Sequence, residues 1–305
     1  MSFSIRCTEF RGLPAVELES ARLRAVVVYG LGPRLAWLSP RAGDNLLFWE
    51  DAAPPRLVRR AGPRSWALRG GHRVWTSRYG ADEDEQTYAN DDAAGSCALL
   101  ADGVLARGAP CPETGTVRSL LVRVVRDDRL LVVNRVENVG NLLFGCGLWG
   151  LTCTRPTPTT RYVVPLGDGS SWDTASITYF RTWAGQGTGS FRDEHGALTD
   201  DAYVLTPCGR ETKRMFLAPA GIIALSDPAR GLTLGIRCPL QRGLPYPANA
   251  NLALYCAPGD AMIEMETMGP FQVLKPGESL ELAEEWTLAE RAIAPQGAAA
   301  RELCA

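Results

Sequence analysis

Short apolar runs broken by Gly, Pro, Asp and Asn dominate the chain. Arg22 to Tyr29 reads as a strand, and Leu35 to Leu38 and Asn45 to Trp49 follow it across the turn-rich segment Ser39 to Asp44. Two long runs, Thr116 to Arg126 and Leu130 to Glu137, flank Asp127-Asp-Arg129, a hairpin signature. Gly221 to Ser226 and Leu232 to Arg237 repeat the pattern across Asp227-Pro-Ala-Arg-Gly231. Leu252 to Tyr255 precedes a run that starts at Met262. A further run ends at Trp286, after the turn residues Lys275-Pro-Gly-Glu278. Helical periodicity is scarce. Many strands at close spacing with turn chemistry between them predict an all-β, mostly antiparallel sandwich or barrel with few short helices.

Nothing reads as a linker between domains, so residues 1–288 are expected to form one domain. The Ala-rich tail, 289–305, is expected to be a short helix or a frayed end. The polar, Gly-rich stretch Gly167 to Asp201 is expected to form loops over one end of the sheets. A hydrophobic content of 46% suits a globular core. No apolar run approaches the roughly 20 residues of a membrane span. No basic segment leads into an apolar core near the N-terminus, so a cytoplasmic location is expected. The 9 cysteines are odd in number and include no Cys-x-x-Cys pair, which fits free buried thiols and neither a disulfide framework nor a zinc site. A net charge of −2 without a basic stripe argues against nucleic acid as a partner. Of the 32 Lys and Arg residues only Lys213 and Lys275 are lysine, so Lys213 stands out. The oligomeric state is not legible.

Candidate chemistry concentrates in a few places. Glu264 and Glu266 lie at i and i+2 of a predicted strand, so both carboxylates point to one face, flanked there by Met262 and Met268. Two acids on an otherwise apolar face either floor a polar site or bond to Arg and backbone N–H groups. Ala67-Leu-Arg-Gly-Gly-His-Arg-Val-Trp75 offers Arg69, His72, Arg73 and Trp75 beside adjacent glycines that allow close approach of the backbone. His72 has two readings, a general acid or donor to a sugar oxygen and a buried histidine satisfied by a carbonyl. The other histidine, His195, falls in an expected loop. Residues 81–92 are acidic but lack the spaced ligands and central glycine of a calcium loop, so a solvated loop is expected, with Tyr88, Asn90 and Asp91 as a polar cluster. Trp149, in a glycine-flanked strand, suits stacking on a sugar face or core packing. Tyr246 and Asn249 sit in a proline-bounded loop that fixes side chains at low entropic cost.

Taken in order, these segments resemble the galactose mutarotase-like superfamily, the aldose 1-epimerase β-supersandwich. The likeness runs through residues 24–39, through Gly43-Asp-Asn-Leu-Leu-Phe-Trp49 and through Arg69-Gly-Gly-His-Arg-Val-Trp75. It continues in Glu266-Thr-Met-Gly-Pro270 with Leu274-Lys-Pro-Gly-Glu278. The order of His72/Trp75, Trp149/Thr152, Lys213, Tyr246/Pro247 and Glu264/Glu266 through Trp286 is similar to an uncharacterised branch described as DUF4380. The resemblance covers residues 22–50, 67–92, 128–165 and 213–288.

The resemblance implies a β-supersandwich that binds a small-molecule carbohydrate, a sugar or sugar phosphate, without metal or cofactor. Glu266 matches the family's general base, which takes the proton from the anomeric hydroxyl. The family's acid is a mid-chain histidine, and Gly145 to Leu151 contains none. His72 is therefore the expected acid, with Arg73, Lys213, Tyr246 and Asn249 holding hydroxyls. Glu264 is expected to raise the pKa of Glu266 or to bind the sugar itself. Arg69, Trp75, Tyr88, Asn90 and Trp149 complete the expected binding residues. The rivals are a carbohydrate-binding or sensing protein that lost the acid, and another sugar reaction such as hexose-phosphate epimerisation or glycoside cleavage.

Overall fold

The computed structural model describes residues 3–51, 56–58, 64–78, 90–167, 174–180 and 196–305. Two large antiparallel sheets face each other across one apolar layer. The larger, an 11-stranded sheet among the described residues, runs in the order Ser4–Phe10, Leu13–Glu19, Leu23–Val28, Arg34–Pro40, His72–Ser77, Phe144–Thr154, Ile263–Met268, Leu252–Cys256, Thr212–Leu217 and Ser176–Tyr179. Gln272–Leu274 pairs with the far end of Phe144–Thr154. The 10-stranded sheet runs Gly196–Leu198, Ala202–Leu205, Arg161–Pro165, Ile222–Asp227, Leu232–Arg237, Ser279–Ala289, Arg129–Asn138, Thr116–Arg126, Gly103–Arg107 and Ser96–Leu99. This is the architecture the alternating runs predict.

The period of two decides what enters the layer between the sheets. Along Ser279–Ala289, Leu280, Leu282, Glu284 and Trp286 are buried, while Ser279, Glu281, Ala283 and Glu285 are exposed. Val122, Val132, Leu225, Leu234 and Ile236 of the same sheet meet Leu18, Val27, Leu148, Leu254 and Met265 of the other. Both predicted hairpins form, Thr116–Arg126 with Arg129–Asn138 and Ile222–Asp227 with Leu232–Arg237.

Two expectations change. Residues 45–49 make isolated bridges, Leu47 to Thr154 and Trp49 to Gly70, and no strand. The reason is Asn45, whose Oδ1 accepts from the Leu38 and Leu47 amides at 3.0 and 3.1 Å and whose Nδ2 donates to the Ala36 carbonyl at 2.9 Å. A side chain takes the bonds a strand partner would make. Within 167–201, the strands Ser176–Tyr179 and Gly196–Leu198 join the sheet edges, where only loops were expected. The tail resolves as a helix, Gly297–Leu303. Ala300, Leu303 and Cys304 pack on Val163, Ile222 and Ala224, and Asp201 accepts from the amides of Gly297 and Ala298 at 2.9 and 2.6 Å. All nine cysteines are free thiols. No helix among the described residues is long and apolar enough to cross a membrane.

Candidate functional site

Five neighbouring strands of the large sheet, those of His72, Trp149, Glu266, Tyr255 and Lys213, carry a polar cluster on the side facing away from the small sheet. Register builds it. Arg73, Leu151, Glu266 and Ala253 form one cross-strand row, and Cys153, Glu264, Tyr255 and Lys213 form the next. Each cation reaches diagonally into the other row. Arg73 Nη2 donates to Glu264 Oε1 at 3.1 Å, and its Nη1 lies 3.1 Å from Cys153 Sγ. Lys213 Nζ donates to both Glu266 oxygens, at 2.6 Å to Oε2. Ala253 is the residue beside Glu266 in the row, small enough to leave room for that reach. Trp149 Nε1 also donates to Glu266 Oε2, at 2.8 Å.

Aromatic rings fill the space around these charges. Trp66, Trp75 and Trp149 meet edge to face, with centroids 5.6 and 5.9 Å apart. The Arg73 guanidinium lies 4.5 Å from the Trp75 ring centroid, and Lys213 Nζ lies 5.0 Å from that of Trp149 and 5.8 Å from that of Tyr255. Met268 and Met215 join the aromatic cluster, and Leu68, Phe180 and Ala248 pack against it. Asp91 extends the polar side, bonded to Arg34 Nη2 and Trp66 Nε1 at 2.8 and 2.7 Å.

The cluster is closed to solvent, and burial governs its electrostatics. Side-chain exposure is 0% for Glu266 and 2% for Lys213 and Arg73. Burial pushes the Glu266 carboxyl up, to about 7; Lys213 pulls against this and Glu264 adds to it. The expected repulsion from Glu264 is thus present but secondary to desolvation. Burial also pushes the Cys153 thiol up, out of the range of a reactive thiolate. Burial raises the Asp91 carboxyl, but the Arg34, Arg73 and Arg118 charges outweigh it and hold Asp91 below its ordinary value. Burial works against the Arg73 charge, and the neighbouring Glu264 and Asp91 carboxylates favour it.

His72 is elsewhere. It neighbours Arg73 in sequence, and strand alternation sends it to the opposite side, between the sheets, with 0% exposure. Its Nε2 lies 2.9 Å from Asn134 Oδ1 and its Nδ1 lies 2.8 Å from Thr152 Oγ1. Asn134 Nδ2 donates to Glu284 Oε1 at 2.7 Å, so the amide oxygen faces the imidazole, Nε2 carries the proton, and Thr152 donates to Nδ1. Burial holds His72 below its ordinary value, in the neutral form this network requires. The acid role expected of His72 is corrected by this placement, because the sheet stands between its ring and Glu266.

The remaining expected residues divide. Glu264, Glu266, Arg73, Trp75, Trp149 and Lys213 are brought together. Tyr246 and Asn249 lie in a loop whose Ala248 and Ala250 border the aromatic cluster; the Tyr246 hydroxyl accepts from the Gln241 amide at 2.9 Å, and Asn249 is exposed. Arg69 turns toward the Asp51 carbonyl. Asn90 Nδ2 donates to the carbonyls of Ala109 and Pro110 at 2.9 and 2.7 Å, away from Glu266. Tyr88 and His195 lie outside the described residues. Sequence reasoning missed Glu284 and Asn134, although both interrupt apolar phases: Leu280, Leu282, Glu284, Trp286 and Leu130, Val132, Asn134, Val136. That is the signal that singled out Glu264 and Glu266. It also missed Arg34 and Tyr255.

A scan against protein-family models finds no match, and neither does a search of curated proteins. Solved structures do match. A candidate aldose 1-epimerase from Klebsiella pneumoniae superposes with a TM-score of 0.63 at 15% identity, over 98% of this chain and 86% of the other. A galactose mutarotase-like protein from Clostridium acetobutylicum gives 0.58 at 10% identity, over 94% and 98%. A TPR-domain containing protein from Parabacteroides distasonis gives 0.62 at 15% identity, and this chain spans only 48% of its length. At these identities the likeness is one of fold: the chain has the galactose mutarotase-like β-sandwich.

Proposed function

We propose that the outer face of the large sheet is a carbohydrate site and that Glu266 is its general base, in a reaction of aldose 1-epimerase type. The observation that carries the reading is Glu266 itself. It is a mid-strand carboxylate on the outer face, bonded to Trp149 Nε1 and Lys213, with an ionisation raised to about 7 where a base can both accept and return a proton near neutral pH. The order of motifs in the sequence and the likeness of fold support the same position, with the chemistry argued from the site. Arg73, Glu264, Lys213 and the tryptophans supply donors, acceptors and flat apolar surface of the kind sugars use. Because the cluster is buried, a sugar reaches it only if side chains packed on it, such as Phe180 and Leu68 among the described residues, move aside.

A second reading follows from the same geometry. Glu266 is held by Lys213 and Trp149, and His72 faces the other side, so the face can bind a sugar without turning it over.

Polarimetry on freshly dissolved α-glucose and α-galactose tests the enzyme. The wild type should accelerate mutarotation, and Glu266→Gln should lose about 10²-fold or more of the rate. A spontaneous rate left unaltered by both proteins across common aldoses removes the enzymatic reading. Thermal stabilisation by a sugar would then support the binding one.

A further inference from the structure

Three buried carboxylates around the outer cluster each meet a cation, and they do not use the same one. Arg34 meets Asp91, Arg73 meets Glu264, and Lys213 meets Glu266. Arginine dominates the whole chain: of 32 Lys and Arg, two are lysine, which leaves 30 arginines. Lys275, the other lysine, is exposed in a turn. A buried pair that served packing alone would suit arginine, whose planar fork binds a carboxylate at two points and is weakly hydrated. Arginine does not give up its proton in proteins, whereas an ammonium does. The carboxylate read as the base is therefore the one whose partner can also exchange a proton.

The surroundings favour such an exchange. Lys213 Nζ sits 2.6 Å from Glu266 Oε2, between the Trp149 and Tyr255 rings, with 2% exposure.

We propose that Lys213 is the second catalytic residue of this face, the proton donor to the ring oxygen of the sugar. The inference rests on the reading of the face as a sugar site. Glu266 takes the proton of the anomeric hydroxyl as the Lys213 ammonium gives one to the ring oxygen. The bond between the anomeric carbon and the ring oxygen breaks, its electron pair stays on the oxygen, and the anomeric carbon becomes an aldehyde. Closure on the other face of the aldehyde reverses both transfers and leaves Glu266 ionised and Lys213 protonated. No further reactant is consumed. The two oxygens served are bonded to one carbon, so an acid and a base in mutual contact match them.

The experiment compares wild type, Glu266→Gln, Lys213→Arg and Lys213→Ala, each checked for native circular dichroism, by polarimetry on α-glucose and α-galactose and by thermal shift with the same sugars. Lys213→Arg keeps the charge and should lose about 10²-fold or more in kcat, with KM within a few-fold of wild type. Lys213→Ala should be rescued by added propylamine and not by guanidinium, which restores a charge without a transferable proton. Lys213→Arg at near wild-type kcat, or rescue of Lys213→Ala by guanidinium as good as by propylamine, overturns the proposal while leaving the sugar site intact. A wild type that does not accelerate mutarotation overturns the underlying reading instead.

Discussion

Two buried polar clusters lie back to back on the same strands of the large sheet, and they are built by opposite rules. Residues adjacent in sequence fall into different clusters: His72 and Arg73, Thr152 and Cys153, Thr267 and Glu266. In the inner network around His72 the carboxylate is Glu284, and it accepts from Asn134 Nδ2, Thr267 Oγ1 and Trp286 Nε1 at 2.7, 2.5 and 2.7 Å. Among the described residues, no side-chain atom of His72, Thr152, Asn134, Thr267, Glu284 or Trp286 is buried without a partner. On the outer side full charges meet in pairs, and Arg73 Nε is buried without a hydrogen bond, 4.0 Å from Asp91 Oδ2. A fully hydrogen-bonded network can be explained by folding alone, since it joins the two sheets in one register. Buried ion pairs cost desolvation that apolar residues would avoid, so folding alone does not explain a cluster of them on one face.

The largest effect should come from breaking the inner cluster. Glu284→Ala orphans three buried donors and is expected to cost about 3–5 kcal/mol, at about 1–3 kcal/mol for each unsatisfied group, partly relaxed. Urea denaturation measures it, and a loss below about 1 kcal/mol would show that the network is dispensable. Gly150 has its place in the same argument. A Cβ there would meet Glu284 Oε1 and lie 2.7 Å from Thr267 Oγ1, so only glycine lets that carboxylate lie against the strand.

The outer cluster should respond differently. Removing one member of the Lys213–Glu266 pair leaves a buried charge, whereas the double change Lys213→Met with Glu266→Leu removes both. The double variant is expected to be as stable as wild type or more stable by about 1–4 kcal/mol. Sugar-dependent thermal shift should vanish in the same protein. If it unfolds more readily than wild type, the pair is a structural element and the contrast between the two faces collapses.

How much of this was legible in the sequence follows from what alternation can and cannot reveal. The period of two placed Glu264 and Glu266 on one face with Met268, and the hairpins at Asp127 and Asp227 followed from turn chemistry. The same rule applied at residue 72 separates His72 from Arg73, but which of the two faces the other sheet depends on long-range pairing, Leu35 to His72 and Thr152 to His72. The diagonal reach of Lys213 to Glu266 was out of sight for the same reason, since it needs Thr212–Leu217 to pair with the distant Leu252–Cys256. Asn45 misled because its side chain imitates a strand partner.

The comparison that separates the faces most directly is the sign of their pH dependence, read as a shallow slope per pH unit. Glu266 ionises at 4.5 in its ordinary state and near 7 when folded. Between those values the unfolded chain gives up a proton that the folded chain keeps, so stability from this group is full below 4.5 and is lost as pH rises toward 7. His72 is held below its ordinary 6.5. Its contribution is full above 6.5 and is lost as pH falls, because the unfolded imidazole takes up a proton that the folded one refuses. Each slope is limited to about 1.4 kcal/mol per pH unit. Urea midpoints at closely spaced pH values from 4 to 8, for wild type, Glu266→Gln and His72→Gln, should therefore show two opposed trends. Glu266→Gln should flatten the loss toward pH 7, and His72→Gln should flatten the loss below 6.5. Equal changes in both variants would mean that the two clusters titrate as one, with the sheet between them no barrier to their coupling.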